Sequence, residues 1–284
     1  MELKAKLIII GGHENKGESG DNWEDFAESG ILERIVTESA KGKNSKIEIV
    51  TTASTVPEEV GDDYVKAFHK LKVTNVGVLR ITCRDESETA ATIKRIKNAD
   101  VVFFTGGDQI RLTSILGGSL FLDTIKQRLA NDPKFIYAGT SAGAAAASES
   151  MICNGESENA NNKGEVKTAT GFGLLENVVF DTHFITRGRI GRLFQIVVTN
   201  PEILGIGIEE NTGLLIQGDK MEAIGPGMTI LIDGHGIKGS NLLDIKSGIP
   251  LSIDSLKLHV MSKTDVFNLT ERILDIITPE ECRL

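Results

Sequence analysis

Little in this sequence could staple, stack or anchor it. Cysteine occurs three times, at Cys83, Cys153 and Cys282, scattered and without a C-x-x-C pair. That argues against a disulfide framework and for a reducing compartment. Aromatic residues make up 5% of the chain, with a single tryptophan, so no stacking platform for nucleic acid is expected. Basic residues are outnumbered, 31 Lys and Arg against 40 Asp and Glu, for a net charge of −9. Binding a phosphate backbone asks for the opposite sign. The apolar run near the start, Leu7-Ile8-Ile9-Ile10, is far too short for a membrane span or the core of a secretory signal. A cytoplasmic protein with neither a nucleic acid nor a membrane as partner is therefore expected. There is no Walker sequence, and Gly11-Gly12 does not open a G-x-G-x-x-G turn. No H-x-x-x-H pair offers metal ligands, so a metal hydrolase is disfavoured. No cofactor is expected.

What is present is an ordinary globular balance, 40% hydrophobic and 25% charged over 284 residues. No low-complexity linker or internal repeat divides it, so residues 1–284 read as a single domain. Short β-branched runs at residues 7–10, 46–52, 76–81 and 101–104, and an apolar run at 135–138, read as buried strands. Helical spacing falls between them, at 23–40, from Pro57 onward, at 87–97, 110–116 and 121–129. Such alternation predicts an α/β fold, a doubly wound and mostly parallel sheet with helices on both faces. Residues 151–170 are polar and read as an irregular excursion. A strand at 178–180 and a helix at 186–199 follow. Short β-like runs at 204–208, 213–217, 222–224, 228–232 and 256–261 predict mostly antiparallel strands extending or capping that sheet.

In doubly wound sheets the site lies beyond the carboxyl ends of the strands. Gly11-Gly12, Thr105-Gly106-Gly107-Asp108-Gln109 and Gly139-Thr140-Ser141-Ala142-Gly143 all fall on that edge. The last is a G-x-S-x-G pentapeptide between a strand and an alanine-rich helix, the context of a nucleophile elbow. Its small residues let a strained turn lift Ser141 out of the sheet. A second requirement is a base within reach of the hydroxyl. Of five histidines, His69 falls in a helix, His235 in a turn and His259 in an alternating strand. His13 and His183 follow strands at the functional edge. His183, after Asp181-Thr182, is the better aimed.

The third group must be an acid that holds the imidazole tautomer. Between Ser141 and His183 the chain offers Glu149, Glu156, Glu158 and Glu165. Glu156 sits on a glycine turn that can fold back, and Glu158 is its near neighbour. The N–H groups of Ala142 and of Gly107 in the Gly106-Gly107 pair are the natural oxyanion donors. Past His183, Arg187, Arg189 and Arg192 crowd into six residues, a cluster suited to clamping carboxylates.

Gly106–Gln109 read Gly-Gly-Asp-Gln, 139–144 read Gly-Thr-Ser-Ala-Gly-Ala, and 155–157 read Gly-Glu-Ser. Residues 183–193 read His-Phe-x-x-Arg-Gly-Arg-x-Gly-Arg-Leu. Together these resemble the cyanophycinase family, serine peptidases that cleave a poly-aspartate polymer bearing arginine on each side chain. The aspartyl dipeptidase called peptidase E is a more distant likeness, sharing the elbow and base. The resemblance covers roughly residues 5–260. It implies a flavodoxin-like, class I glutamine amidotransferase-like fold with antiparallel additions in the C-terminal half, and a homodimer. It implies exo-cleavage of cyanophycin to β-Asp-Arg dipeptides, for whose guanidinium Asp108, Asp181, Glu209 and Glu210 are candidate partners. Ser141 is then nucleophile, His183 base and Glu156 the orienting acid, while Gln109, Asp181, Arg187, Arg189 and Arg192 bind substrate. Thr182 is a departure, standing where the family often has glutamine. An amidotransferase proper would need cysteine at the elbow, where this chain has Ser141.

Overall fold

In β1 (Lys6–Ile10), Leu7 and Ile9 face one hydrophobic core while Ile8 and Ile10 face another. A continuous apolar run is what a strand buried on both faces requires, because successive side chains point to opposite sides. The computed structural model that shows this describes residues 3–18, 23–155 and 157–278. Two short helices, α1 (Trp23–Glu28) and α2 (Ile31–Glu38), replace the single helix expected over 23–40. The break falls at Ser29-Gly30, where Gly30 is extended rather than helical. The elements β2 (Ile47–Val50), α3 (Pro57–Lys70) and β3 (Val76–Leu79) follow. Pro57 opens α3 with Glu58 and Glu59 in its first turn, as the helix dipole favours. Next come α4 (Arg84–Ser87), α5 (Ala90–Asn98), β4 (Val101–Phe104), α6 (Gln109–Leu116), α7 (Leu120–Asn131), β5 (Ile136–Thr140) and α8 (Ala142–Ala147). Thr89, Asp108 and Ser119 cap α5, α6 and α7 with side-chain oxygens.

The excursion after α8 is not irregular. It forms an antiparallel hairpin, β6 (Ser150–Asn154) with β7 (Lys167–Thr170). Polar residues face solvent from β7, which hid its strand character. The remaining elements are β8 (Val178–Thr182), α9 (Ile190–Thr199), β9 (Leu204–Ile208), β10 (Gly213–Gln217), β11 (Lys220–Ile224), β12 (Thr229–Asp233), the two-residue pair β13 (Gly239–Ser240) and β14 (Ile253–Asp254), β15 (Lys257–Met261), β16 (Val266–Asn268) and β17 (Ile273–Asp275).

A nine-stranded sheet runs β17-β16-β11-β10-β1-β5-β4-β2-β3. Its β1, β5, β4, β2 and β3 are parallel, and the strands from β10 outward are antiparallel. This is the doubly wound sheet with C-terminal antiparallel additions that the alternation predicts. Residues of α1 to α3 pack in one core and those of α5 to α8 in the other. Of the later strands, expected to extend or cap this sheet, β10, β11, β16 and β17 extend it, while β8, β9, β12 and β15 form a second, four-stranded sheet in the order β15-β12-β9-β8. Its β8 and β9 are parallel neighbours, Thr182 opposite Ile208. One face joins the core of the large sheet and the other packs against α9. The alanine helix α8 packs against both β5 and β8, one strand of each sheet. Among the described residues no helix is long and apolar enough to cross a membrane.

The two sheets are tied where β1 ends. The carbonyl of Ile10 accepts the Ser141 N–H at 3.0 Å, that of Gly11 the His183 N–H at 2.9 Å and that of Gly12 the Asn211 N–H at 2.8 Å. Gly11 also donates its own N–H to Thr212 O. A Cβ on Gly11 would lie 2.0 Å from the Glu209 carbonyl oxygen, a backbone atom that cannot swing aside. Gly11→Ala is therefore expected to lower unfolding stability by about 1–3 kcal/mol, the usual cost of overpacking. Urea denaturation checks it, and a midpoint equal to that of the parent would show that the strands have room to part.

Candidate active site

Ser141 stands between β5 and α8 with φ +50° and ψ −104°, a left-handed conformation that L-residues avoid. Its neighbours have to be small. A Cβ on Gly139 would lie 2.6 Å from the Gly143 carbonyl oxygen, and one on Gly143 would lie 2.7 Å from the Phe104 carbonyl oxygen. The strained turn aims the hydroxyl at the imidazole of His183, Oγ to Nε2, at 3.1 Å. His183 is itself at φ +50° and is buried. Its Nδ1 lies 2.6 Å from Oε1 of Glu210. A carboxylate only accepts, so the ring proton sits on Nδ1 and Nε2 is left to accept from Ser141.

The sequence offers Glu156 for that place, a residue whose position the structure does not describe. A single N–H on Nδ1 takes one strong acceptor, and Glu210 fills that place. Glu158 is exposed on a short 3-10 turn. Along the chain the three groups in contact run serine, histidine, acid. The legible signal was strand register. Because β8 and β9 run parallel and in register, residues just past Thr182 and just past Ile208 leave the sheet side by side. Glu209 and Glu210 were visible at that edge as candidate guanidinium partners; neither is free for one. Glu209 accepts from the Ile185 N–H at 2.6 Å and the Thr186 N–H at 3.1 Å, and also bonds the Thr186 hydroxyl. Asp108 is engaged as the α6 cap.

His13 joins the group from the turn after β1, with Nδ1 3.2 Å from Oε2 of Glu210 and its ring edge-on to His183, centroids 5.0 Å apart. Beneath it, buried Glu14 accepts from the Thr140 hydroxyl at 2.7 Å and from the Tyr64 hydroxyl. That pins the β1 turn to the residue before the serine. Burial lowers the His183 pKa below the ordinary value of 6.5; the bond to Glu210 opposes this, and Arg187 and His13 add to it. Burial pushes the Glu210 carboxyl up, but the bond from His183 and the proximity of His13 outweigh it and hold that carboxyl below its usual range.

The hydroxyl opens into a cleft of about 260 Å³. Gly107, Ala142 and Gln109 line it, as do Asp181, Thr182, Arg187, Arg189 and Arg192. Every described residue assigned to the site from the sequence therefore sits around one cavity, His183 excepted, which flanks it through Ser141. Gly107 has φ +140°, and a Cβ there would lie 2.2 Å from the Ala53 carbonyl oxygen, so this corner requires glycine. Gln109 donates its amide to Ile152 O at 3.0 Å. Asp181 is buried; its Oδ1 accepts from Arg192 Nη2 at 2.8 Å and lies 3.5 Å from Arg189 Nη1, while its Oδ2 has no hydrogen-bond partner among the described residues. Burial pushes the Asp181 carboxyl up despite Arg192 and Arg189. Burial, with Arg192 beside it, brings Arg189 down to about 10, still a cation at neutral pH. Arg189 also donates to Thr182 O at 2.7 Å. Arg187 is exposed at the cleft. Three guanidinium groups and one carboxylate line the cleft, and two of the three, Arg189 and Arg192, lie against that carboxylate. A larger cavity of about 650 Å³, lined by Asn177, Glu202 and Arg272 among others, lies at the amino ends of β8 and β9 and contains neither Ser141 nor His183.

The model of peptidase family S51 matches residues 18–224. The chain is 32% identical over 267 residues to the cyanophycinase of Geminocystis herdmanii, covering 94% of each chain. It is 32% identical over 270 residues to that of Trichormus variabilis, covering 95% of this chain and 87% of the relative. Among solved structures, a peptidase from an acI-B1 Actinobacterium superposes with a TM-score of 0.60 at 19% identity, over 92% of this chain and 98% of the other.

A hydroxyl activated by a neutral imidazole reacts with fluorophosphonates. Protonated His183 cannot accept the Ser141 proton, so labelling should rise with pH through the His183 pKa. Because that pKa is lowered, the midpoint is expected below 6.5. Mass spectrometry of Ser141 labelling against pH reads it, and a midpoint above 6.5 would contradict the burial argument.

Proposed function

This chain belongs to peptidase family S51 and is a serine-type peptidase of the cyanophycinase and peptidase E kind, and we propose that it hydrolyses cyanophycin from an end to β-Asp-Arg dipeptides. In this reading Ser141 Oγ attacks the scissile carbonyl while His183 Nε2 takes its proton. The same nitrogen returns that proton to the leaving amine, and water then releases the acyl group by the reverse sequence. Glu210 holds the productive tautomer and stabilises the imidazolium. The N–H groups of Gly107 and Ala142 receive the developing oxyanion.

One observation carries the reading: a hydroxyl, imidazole and carboxylate in line, opening onto a cleft walled by three arginines. Cyanophycin presents an α-carboxylate on each arginyl branch, and planar guanidinium groups match carboxylates bidentately. Arg187 is the most accessible of the three, while Arg189 and Arg192 are braced by Asp181. The small cleft suits a chain terminus better than a threaded polymer. The acid nearest the arginines is already paired, so the substrate guanidinium finds its partner in solvent or outside this pocket.

Incubation with cyanophycin and with α- and β-linked Asp-Arg peptides, followed by mass spectrometry, tests the substrate. β-Asp-Arg from the polymer is the expected product; cleavage confined to α-linked aspartyl dipeptides would move the protein to the dipeptidase type. Ser141→Ala should abolish turnover with the fold intact. Glu210→Gln should lower kcat by about 10²–10⁴-fold, the usual weight of acid–base catalysis, whereas Glu156→Gln should leave it within a few-fold; the opposite ranking would restore Glu156 as the acid. Arg187→Ala should raise KM by about tenfold or more, as expected for a lost charged hydrogen bond, with kcat less affected.

A further inference from the structure

The mechanism above uses His183 and Glu210 but has no task for His13. Yet His13 is held at φ +49°, the same strained region as His183 at φ +50°. A non-glycine residue stays there only where the surroundings over-determine it. The turn that holds it is braced by Glu14 against Thr140 and Tyr64. The result is two imidazoles and one carboxylate with ligand atoms all within 4.8 Å of one another. His13 Nδ1 stands 3.2 Å from one Glu210 oxygen and His183 Nδ1 stands 2.6 Å from the other. Zinc bonds of ~2.0–2.2 Å in a tetrahedron put neighbouring ligand atoms about 3.3 Å apart. The His13 side chain is 68% exposed, which gives both an entry path and room for the ring to close the set.

We propose that His13, His183 and Glu210 form a zinc site whose occupation silences the hydrolase. Two imidazole nitrogens and a carboxylate oxygen are a three-ligand set that Zn²⁺ accepts, with water as the fourth ligand. The inhibitory half rests on His183 being the base. A metal on Nδ1 of His183 displaces the proton now shared with Glu210, and that proton leaves to solvent. The imidazole that remains neutral must carry its hydrogen on Nε2. That nitrogen then points a donor at Ser141 Oγ instead of a lone pair. Zinc therefore imposes the unproductive tautomer and also occupies the carboxylate that normally prevents it. The serine is untouched and the cleft is unblocked, so removing the metal restores the starting state.

The test has a binding arm and a reactivity arm. Zn²⁺ is titrated calorimetrically into chelator-treated parent protein, Ser141→Ala, His13→Asn and His235→Ala. Asparagine tolerates positive φ, so His13→Asn keeps the turn. His235, near Glu202 and Asp233, is another place where a histidine meets acids. One site is expected in the parent, Ser141→Ala and His235→Ala, weakened in His13→Asn by about 100-fold or more, since even outer-shell changes cost 10–100-fold. In parallel, fluorophosphonate labelling of Ser141 is followed with Zn²⁺ and after chelator, each variant against its own metal-free rate. Zinc should suppress labelling in the parent, chelator should restore it, and His13→Asn should resist. Zinc affinity equal in parent and His13→Asn, or labelling unchanged at saturating zinc, would overturn the proposal. Absence of labelling without metal would instead count against Ser141 as nucleophile, while the calorimetry still decides the site.

Discussion

Three consecutive carbonyls, those of Ile10, Gly11 and Gly12, hold the functional edge of this protein together. Each accepts one backbone N–H, from Ser141, His183 and Asn211 in turn. The side chains of the first two and the neighbour of the third, Glu210, are the hydroxyl, imidazole and carboxylate of the site. Loops far apart in sequence are thus referenced to one strand end, and their side chains inherit the alignment. Backbone hydrogen bonds suit this purpose because the groups are obligatory partners wherever water is excluded. The arrangement also explains why the strand ends in two glycines. Gly11 approaches the Glu209 carbonyl, and Gly12, at φ +102°, lies under the His183 ring.

The electrostatics of the cleft follow from burial more than from charge count. The chain is acidic overall, but the wall beyond Ser141 is cationic. Asp181 does not cancel this wall; it aligns it. Its one bonded oxygen faces Arg192 and Arg189, which fixes two flexible side chains in place. Arg192 is further steadied by the Gly155 carbonyl at 3.3 Å. Pre-positioned guanidinium groups lose less conformational entropy when a carboxylate arrives.

Much of this was legible before any coordinates. Strands such as β4, β9 and β10 coincide with their apolar runs because strands buried on both faces have no polar alternation to blur their ends. The elbow was legible because the turn tolerates so few residue types. The arginine cluster and the cleft-lining residues converge as their position after strands implied. The failures have physical causes as well. The split at Gly30 was invisible because α1 and α2 share one apolar face, joining Phe26 to Ile31 and Leu32 in one core. The hairpin β6–β7 was missed because its exposed strand carries polar residues. The second sheet was missed because strand pairing is long-range, and local pattern does not say which sheet a strand joins. The place of Glu210 beside His183 was not legible for the same reason, since it depends on β8 and β9 being neighbours. Cys83 and Cys153 are free thiols; Cys282 lies outside the described residues.

The alanine helix α8 lies between β5, which carries Ser141, and β8, which carries His183. From Ala142 to Ala147 it has only methyl groups and one glycine, all buried. It is in effect a shim of fixed thickness. A bulkier side chain at its core-facing positions, Ala144, Ala146 or Ala147, would press on both sheets and act on the hydroxyl–imidazole gap without touching a polar atom. The spacing of hydroxyl and imidazole thus rests on the calibre of methyl groups, and drift toward larger residues at those positions would reach the site through packing alone.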